Sequence, residues 1–308
     1  MIIGAVGVYA IFLLVSDLNL VYDKVVNFKI AYLPIIVGLI SFSWLILFYR
    51  WHVLLKNSNI NVPRKKSFLI FLSGASLSIT PGHVGEIIKS QLLKNLYNIP
   101  RTKTAPIIFI EKFYDLIGAI VASIIGIWFF EINSLVIFAA FGFLISIFVV
   151  ISIQSFFKKI INQICKINFF KKYESIFLES YKILRKSSQG KIGIVSIVLS
   201  ILFWLVTGVA VYFILLGLDI DGINFLNAIS IYSLSAIAGA LSFIPGGVGI
   251  TEGSLGGLLS LQGIELSIAI AVGVIIRFFT MWYSVIVGFF ALKLTGGFNV
   301  KELDSEGS

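Results

Sequence analysis

The feature that most constrains this chain is a Pro-Gly motif that occurs twice inside long apolar stretches. Residues 78–86 read SITPGHVGE, and residues 242–249 read SFIPGGVG, with Glu252 three positions further on. Proline removes a backbone donor and disfavours helix at the residue before it. In lipid, the freed backbone groups must be paired inside the protein or face a water-lined cavity. Interrupted segments in the two halves of a membrane protein indicate a transport site.

The composition is that of a membrane protein. Of its 308 residues, 58% are hydrophobic and 13% are charged, and the mean hydropathy is +1.01. Apolar runs of about 20 residues recur along the chain, as in transmembrane helices. A formal net charge of +9 would suggest a nucleic-acid partner for a soluble protein. Here the basic residues gather in a few loops, as cytoplasmic flanks do, so we expect no nucleic-acid partner.

The apolar stretches predict an all-α polytopic membrane protein with about six spanning helices and two broken re-entrant hairpins. They fall near residues 2–22, 31–55, 67–97, 104–130, 134–155, 191–216, 223–262 and 265–292. The stretches 67–97 and 223–262 carry the Pro-Gly motifs, so each is predicted to form two short helices. In an alternative topology both halves of 223–262 cross the membrane, because the run 223–244 is long enough.

Loop charges predict the orientation in a cell membrane. Basic residues flank the first broken stretch on both sides, and the largest basic cluster lies between 158 and 191. These loops are expected to be cytoplasmic, whereas Glu131 and the turn 219–221 are expected to face outward. The two hairpins then enter from opposite faces, as an inverted-topology repeat, and both termini are cytoplasmic.

The predicted organisation is a single integral membrane domain over residues 1–300. Its parts are repeat 1 at about 31–130, a basic cytoplasmic insertion at about 156–190, repeat 2 at about 191–292, and a disordered tail at 301–308. The insertion alternates aromatic and basic residues, which fits either an amphipathic helix on an anionic leaflet or a solvated linker. The similarity of the two repeats extends past the hairpins, because each hairpin is followed by a helix with a cation at nearly the same distance. Lys112 lies 31 residues beyond Pro81, and Arg277 lies 32 beyond Pro245.

Charged residues within membrane segments are costly and commonly functional. The candidate substrate-binding residues are these charges, the motif glycines and one histidine: Gly82, His83, Gly85, Glu86, Lys89, Glu111, Lys112, Asp115, Gly246, Gly247, Gly249, Glu252 and Arg277. The glycines would let backbone amides approach a ligand, and helix N-termini with three cations would suit a phosphate. The structural alternative is a buried salt-bridge network, since Glu86 and Lys89, like Lys112 and Asp115, are three positions apart.

Several roles stay open at this level. Glu86 and Glu252 could cap the amides at their own helix starts, orient the cations or bind a coupling proton. His83 could donate to a phosphate or make a structural hydrogen bond. Arg50-Trp51 fits a snorkelling anchor at the cytoplasmic end of its helix, although it could also gather anionic headgroups. Trp44 and Trp204 fit interfacial or packing positions.

Catalytic and cofactor motifs are missing from the sequence. It has no nucleotide-binding P-loop, one cysteine (Cys165) and two histidines, so we predict no ATP-driven pumping, no metal site and no cofactor. Three functions remain: a lipid transporter, a membrane-embedded enzyme that modifies a lipid phosphate, and an accessory subunit of a cell-envelope pathway. In the enzyme alternative, Glu86, Glu111 and Asp115 would hold a metal ion.

The ordered motifs resemble those of the flippase-like family of the lysylphosphatidylglycerol synthase transmembrane region, which has archaeal relatives linked to dolichol-phosphate sugars. The resemblance covers roughly residues 1–292 and rests on RW at 50–51, PGHVGE at 81–86, EKFYD at 111–115, and PGGVG at 245–249 with Glu252. It implies a non-ATP flippase for a phosphate-bearing lipid, either aminoacyl-phosphatidylglycerol or an isoprenoid-phosphate carrier. Synthase members carry an additional soluble aminoacyl-transferase domain, which we do not expect in this protein, so the resemblance is not taken to imply synthase activity. A homodimer is common for such proteins, and Lys112 departs from the arginine expected in many relatives.

Overall fold

The computed structural model describes residues 18–80, 85–127, 181–183, 185–187 and 189–296. In these ranges the regular elements are helices, and the predicted all-α class is confirmed there. The longer helices are α1 Leu18–Val26, α2 Leu33–Asn57, α3 Arg64–Ala75, α4 Ile88–Tyr97, α5 Arg101–Ile127, α6 Gly190–Gly217, α7 Phe225–Leu241, α8 Ile250–Ser260, α9 Leu266–Arg277 and α10 Tyr283–Leu294. Predictions for most of stretch 2–22, for 134–155, for most of the basic insertion and for the tail lie outside the described residues, as do Gly82 and His83.

Within the residues that the structure describes, three continuous helical stretches are long and apolar enough to cross a membrane. They are Ile30–Asn57, Gly190–Gly217 and Leu266–Leu294, where a π-helical turn at Phe278–Trp282 joins α9 to α10. Helix α5 is of similar length, with 27 residues, but carries several charged side chains near its middle. The membrane assignment therefore rests on helices whose composition and length both fit a bilayer.

Both Pro-Gly stretches are interrupted, as predicted. Helix ends at Ala75 and resumes at Ile88 in the first, and it ends at Leu241 and resumes at Ile250 in the second. Helices α3, α4 and α8 have 12, 10 and 11 residues, so each is roughly 15–18 Å long, about half of a bilayer core. Helix α7 is longer, with 17 residues. In each stretch the two helices pack against one another.

Helix α6 shows how the sequence divides lipid-facing from packed surface. Ile194, Val198 and Leu202 are exposed and recur every four residues, so they form one apolar stripe. Ser196 and Ser200 are fully buried on another face, where α6 packs against α2, α5 and α7. Small residues allow close helix approach in membranes, where packing rather than water exclusion stabilises the bundle.

Hydrogen bonds between connecting segments show which of them share an end of the bundle. At one end the amide of Lys29 donates to the carbonyl of Gly217 at 2.9 Å, and Asn227 Nδ2 donates to Gln262 Oε1 at 2.9 Å. At the other end Asn57 Nδ2 donates to the carbonyl of Lys186 at 3.4 Å. The loop between α2 and α3 therefore lies beside the described part of the basic insertion.

Candidate functional site

Charged side chains from α2, α5 and the start of α4 form one ion-pair network, here called the six-residue network. Its members are Arg50, Glu86, Lys89, Glu111, Lys112 and Asp115. Lys89 Nζ lies 2.7 Å from Glu111 Oε2 and 3.2 Å from Glu86 Oε2. Lys112 Nζ lies 2.5 Å from Glu86 Oε1 and 3.5 Å from Asp115 Oδ2. Both predicted three-residue pairs thus form, and pairs between helices join them.

Arg50 belongs to this network, and its interpretation as an anchor at the helix end was wrong. The residue is 1% exposed. Its Nη1 donates to Asp115 Oδ1 at 2.6 Å and to Ser200 Oγ at 2.5 Å, and Nη2 lies 3.8 Å from Glu111 Oε1. Charge balance could have revealed this, because the other five members comprise three carboxylates and only two cations, and a buried charge needs a partner.

The members of the network differ in their access to solvent space. The side chains of Lys89 and Glu111 are each 2% exposed, whereas Lys112 is 32% exposed. Lys89 also lies over the Trp51 ring, with its Nζ 4.8 Å from the ring centroid, which adds a cation–π attraction. Lys112 is therefore the cation of the network that is best placed to meet a ligand.

A second charged cluster joins the second Pro-Gly break to α9. Arg277 Nε donates to Glu252 Oε1 at 3.1 Å, and Glu252 is fully buried. The other oxygen, Oε2, accepts from the amide of Gly249 at 2.8 Å, which caps α8. Arg277 Nη2 donates to the carbonyl of Gly246. Glu252 thus both caps its own helix and orients the cation, two of the three roles left open above.

The described motif glycines shape the breaks. Gly246 and Gly249 have φ values of 62° and 83°, in a region of backbone conformation that residues with a Cβ rarely adopt. The amide of Gly247 donates to the carbonyl of Ile244 at 2.9 Å, and the amide of Gly85 donates to Thr80 Oγ1 at 2.6 Å. With the Gly249 cap, the amides of Gly85, Gly247 and Gly249 are already paired inside the protein.

One cavity of about 570 Å³ borders both charged clusters, a size typical of small-molecule sites. The predicted residues that line it are Glu86, Lys89, Glu111, Lys112, Asp115, Gly246, Gly247 and Arg277. Gly85, Gly249 and Glu252 are not among its lining residues, although Glu252 acts on the cavity through Arg277. The structure therefore brings the two halves of the sequence to one space.

The rest of the cavity wall is largely apolar and aromatic, which the sequence did not reveal. It includes Trp44, Phe71, Phe203, Trp204 and Tyr232. The indole of Trp204 is fixed by a hydrogen bond of 2.8 Å from Nε1 to the carbonyl of Asp115. These side chains come from α2, α3, α6 and α7, so only the folded bundle collects them.

Two buried polar atoms at the cavity retain hydrogen-bonding capacity. Arg50 Nε and Glu111 Oε1 have no hydrogen-bond partner within the part of the chain that the structure describes. Unpaired buried polar atoms are costly, so a site that contains them fits a polar occupant or ordered water.

The two clusters are arranged alike. In the first, the carboxylate after the break pairs with a cation on the next helix, Glu86 with Lys112, 26 residues later. In the second, Glu252 pairs with Arg277, 25 residues later. Each interrupted stretch is thus joined to the following helix by the same kind of ion pair.

Comparison with known proteins finds a family model and archaeal membrane proteins that are similar to this chain. The family model described as the lysylphosphatidylglycerol synthase TM region matches residues 2–288. The UPF0104 membrane protein MJ1078 of Methanocaldococcus jannaschii is 28% identical over 216 residues, covering 68% of this chain and 90% of that protein. The UPF0104 membrane protein PH1989 of Pyrococcus horikoshii is 24% identical over 284 residues, covering 80% of this chain and 82% of that protein.

Proposed function

Because the chain belongs to the family of the lysylphosphatidylglycerol synthase transmembrane region, we propose that it is a non-ATP flippase for a phosphate-bearing lipid. Aminoacyl-phosphatidylglycerol and isoprenoid-phosphate carriers are the substrate classes of this proposal. The observation that carries it is the cavity, which borders both interrupted stretches and combines charged with apolar walls. Such a surface matches a lipid, whose anionic headgroup and apolar chain need different surroundings.

Exposed apolar side chains on the cavity wall support a lateral route for the lipid chain. Leu241 and Phe243 line the cavity and are 55% and 73% exposed. They lie at the end of α7 and in the break that follows it. In a bilayer, exposed apolar side chains face acyl chains, so the lipid tail would stay in the membrane while the headgroup enters the cavity.

Lys112 is the residue that would receive the headgroup. It lines the cavity and is the most exposed cation of the six-residue network. An anionic phosphate would replace Glu86 at Lys112 Nζ, since the two compete for the same ammonium group. Arg277 lies on the same cavity wall but is held by Glu252 and Gly246, so it would contribute mainly positive potential.

The same proposal includes two re-entrant hairpins in an inverted repeat. Three of the four helices around the breaks are too short to span a bilayer. The similar ion pairs of the two clusters, Glu86 with Lys112 and Glu252 with Arg277, support a repeat relation between the two halves of the chain. Rocking of one half against the other around the cavity would expose the headgroup to each leaflet in turn.

For the orientation, we propose that the bundle end with the loop from Asn57 to Arg64 faces the cytoplasm of a cell membrane. This end carries the basic residues around α3 and Lys182, Arg185 and Lys186. The opposite end carries Asp23, Asp219, Asp221 and Glu265 against Lys24 and Lys29. An excess of cations on one side is the usual mark of the cytoplasmic face.

The ion pairs made by the carboxylates favour transport over enzymatic modification of a lipid. Glu86, Glu111 and Asp115, which a metal-dependent enzyme would need as ligands, are each paired with a lysine or arginine. Carboxylates held in this way neutralise the cations of a binding site and are poorly disposed to hold a metal ion.

The proposal is tested in phosphatidylcholine vesicles that contain the purified protein and a trace of tail-labelled fluorescent lipid. Dithionite bleaches label in the outer leaflet, so the slow bleaching phase reports flipping. We expect phosphatidylglycerol and phosphatidic acid to flip faster than phosphatidylcholine. Lys112→Gln should remove this difference, whereas Lys293→Gln, which changes an exposed lysine outside the cavity, should keep it. Equal rates for all three lipids, or an unchanged preference in Lys112→Gln, would refute the proposal.

A further inference from the structure

The charged side chains of the two clusters balance one another. Within the described residues the two clusters contain four cations, Arg50, Lys89, Lys112 and Arg277, and four carboxylates, Glu86, Glu111, Asp115 and Glu252. Every one of these groups takes part in an ion pair. A headgroup with a net negative charge, such as an isoprenoid phosphate, therefore brings an unbalanced charge into a space where such charge is costly. Aminoacyl-phosphatidylglycerol does not, because its amino group offsets the phosphate.

We propose that Glu86 takes up one proton when an anionic headgroup binds at Lys112, so that the lipid moves together with a proton. This inference rests on the proposed function, since it names what that site binds besides the lipid. The proton adds to a Glu86 carboxylate oxygen from solvent in the cavity, and the headgroup oxygen replaces that carboxylate at Lys112 Nζ. The net charge of the site is then the same with and without the lipid.

The choice of Glu86 follows from what faces each carboxylate. Arginine stays protonated under all ordinary conditions, so the carboxylates it contacts are held ionised. Asp115 lies 2.6 Å from Arg50, and Glu252 lies 3.1 Å from Arg277. Glu111 faces both Lys89 and Arg50, and its side chain is only 2% exposed.

Glu86 differs in its ion-pair partners, although Asp115, which is bonded to Arg50, is slightly more exposed, at 20%. Its two ion pairs are with lysines, Lys112 and Lys89, and its side chain is 13% exposed at the cavity. The charged groups packed around it are Lys89 on its own helix, Glu111, Lys112 and Asp115 on α5, and Arg50 on α2. Among the four carboxylates it combines access to the cavity with a direct bond to the exposed cation.

The network also survives the loss of this charge. When Glu86 is neutral, Lys89 keeps Glu111 at 2.7 Å, and Lys112 keeps Asp115 at 3.5 Å. Neither lysine is left as an isolated buried charge. Lys112 then has a weaker partner than before, which makes room for the phosphate.

The test is calorimetry of the purified protein with dihexanoyl-phosphatidylglycerol. This probe is a phosphodiester, which carries a single negative charge and does not titrate near neutral pH. Any proton that accompanies binding must therefore come to the protein. Titrations in two buffers of different ionisation enthalpy give the number of protons taken up for each bound lipid.

We expect close to one proton for each bound lipid in the wild type, and an affinity that falls by up to about tenfold for each unit of rising pH. Glu86→Gln imitates the protonated form and should bind at least as tightly, without proton uptake and without pH dependence. Glu265→Gln, at an exposed carboxylate outside the cavity, should behave as the wild type. Binding by the wild type without proton uptake would overturn the coupling and leave the transporter proposal standing.

Two further outcomes separate the alternatives. If the wild type does not bind the probe, the transporter proposal itself fails together with the coupling. Uptake that persists in Glu86→Gln but disappears in His83→Asn would overturn the assignment to Glu86. The proton count of the wild type decides the coupling even if the Glu86 variant does not fold.

Discussion

The buried pair of Arg277 and Glu252 allows a quantitative prediction for Arg277→Met. Glu252 is fully buried, and the side chain of Arg277 is 10% exposed. Removing one partner of such a pair leaves an uncompensated charge and costs about 3–5 kcal/mol of folding free energy. At about 2 °C for each kcal/mol in a chain of this size, the melting temperature should fall by roughly 6–10 °C.

The double variant Arg277→Met with Glu252→Gln separates this charge effect from lost packing. Glutamine keeps an oxygen that can accept from the Gly249 amide, and no buried charge remains. The residual cost is the lost hydrogen bond to the Gly246 carbonyl, about 1 kcal/mol, or about 2 °C. Adding Glu252→Gln to Arg277→Met should therefore recover about 2–4 kcal/mol of folding free energy.

Thermal unfolding in mild detergent, followed by tryptophan fluorescence, provides the measurement. Lys293→Met is the matched control, because it removes an exposed cation from the last turn of α10 and should leave the melting temperature unchanged. The reasoning is refuted if Arg277→Met melts with the wild type. It is equally refuted if the double variant is as unstable as the sum of its single variants.

Two further predictions concern the break and the bundle end. Gly246→Ala should cost about 1–2 kcal/mol, because alanine is strained at a φ of 62°, whereas Gly253→Ala, in an exposed helical position with open space for a Cβ, should raise stability by about 0.5–1 kcal/mol. The same melting assay compares them, and equal effects would contradict this account of the break. The hydrogen bond from Lys29 Nζ to Asp219, at 2.5 Å, raises the pKa of Lys29 above its ordinary value of 10.5. A raised pKa means that the pair contributes stability below pH 10.5 and loses it as the pH rises through the folded-state pKa. Because both side chains are exposed, the effect on stability is small, and NMR titration of isotope-labelled lysines is the direct measurement. Asp219→Asn should return the pKa to its ordinary value, and no change would show that the pair is absent in solution.

The six-residue network illustrates the limit of sequence reasoning about charge. Glu86 with Lys89 and Lys112 with Asp115 were predictable, because residues three apart share a helix face. The bond from Arg50 to Asp115 spans 65 residues, and the bond to Ser200 spans 150. Such contacts depend on how α2, α5 and α6 pack, and no local pattern encodes that packing.

The sequence by itself determined the helical membrane class, the two interruptions and most of the charged residues at the cavity. These follow from local properties, since apolar length, proline and glycine act on the residues around them and buried charges are rare. The tertiary structure alone decided that Arg50 is buried, that three glycine amides are used internally and that aromatic residues from four helices form one wall. Each of these depends on which helix faces meet, and the partly exposed side chain of Lys112 beside its buried neighbours is the result of that packing.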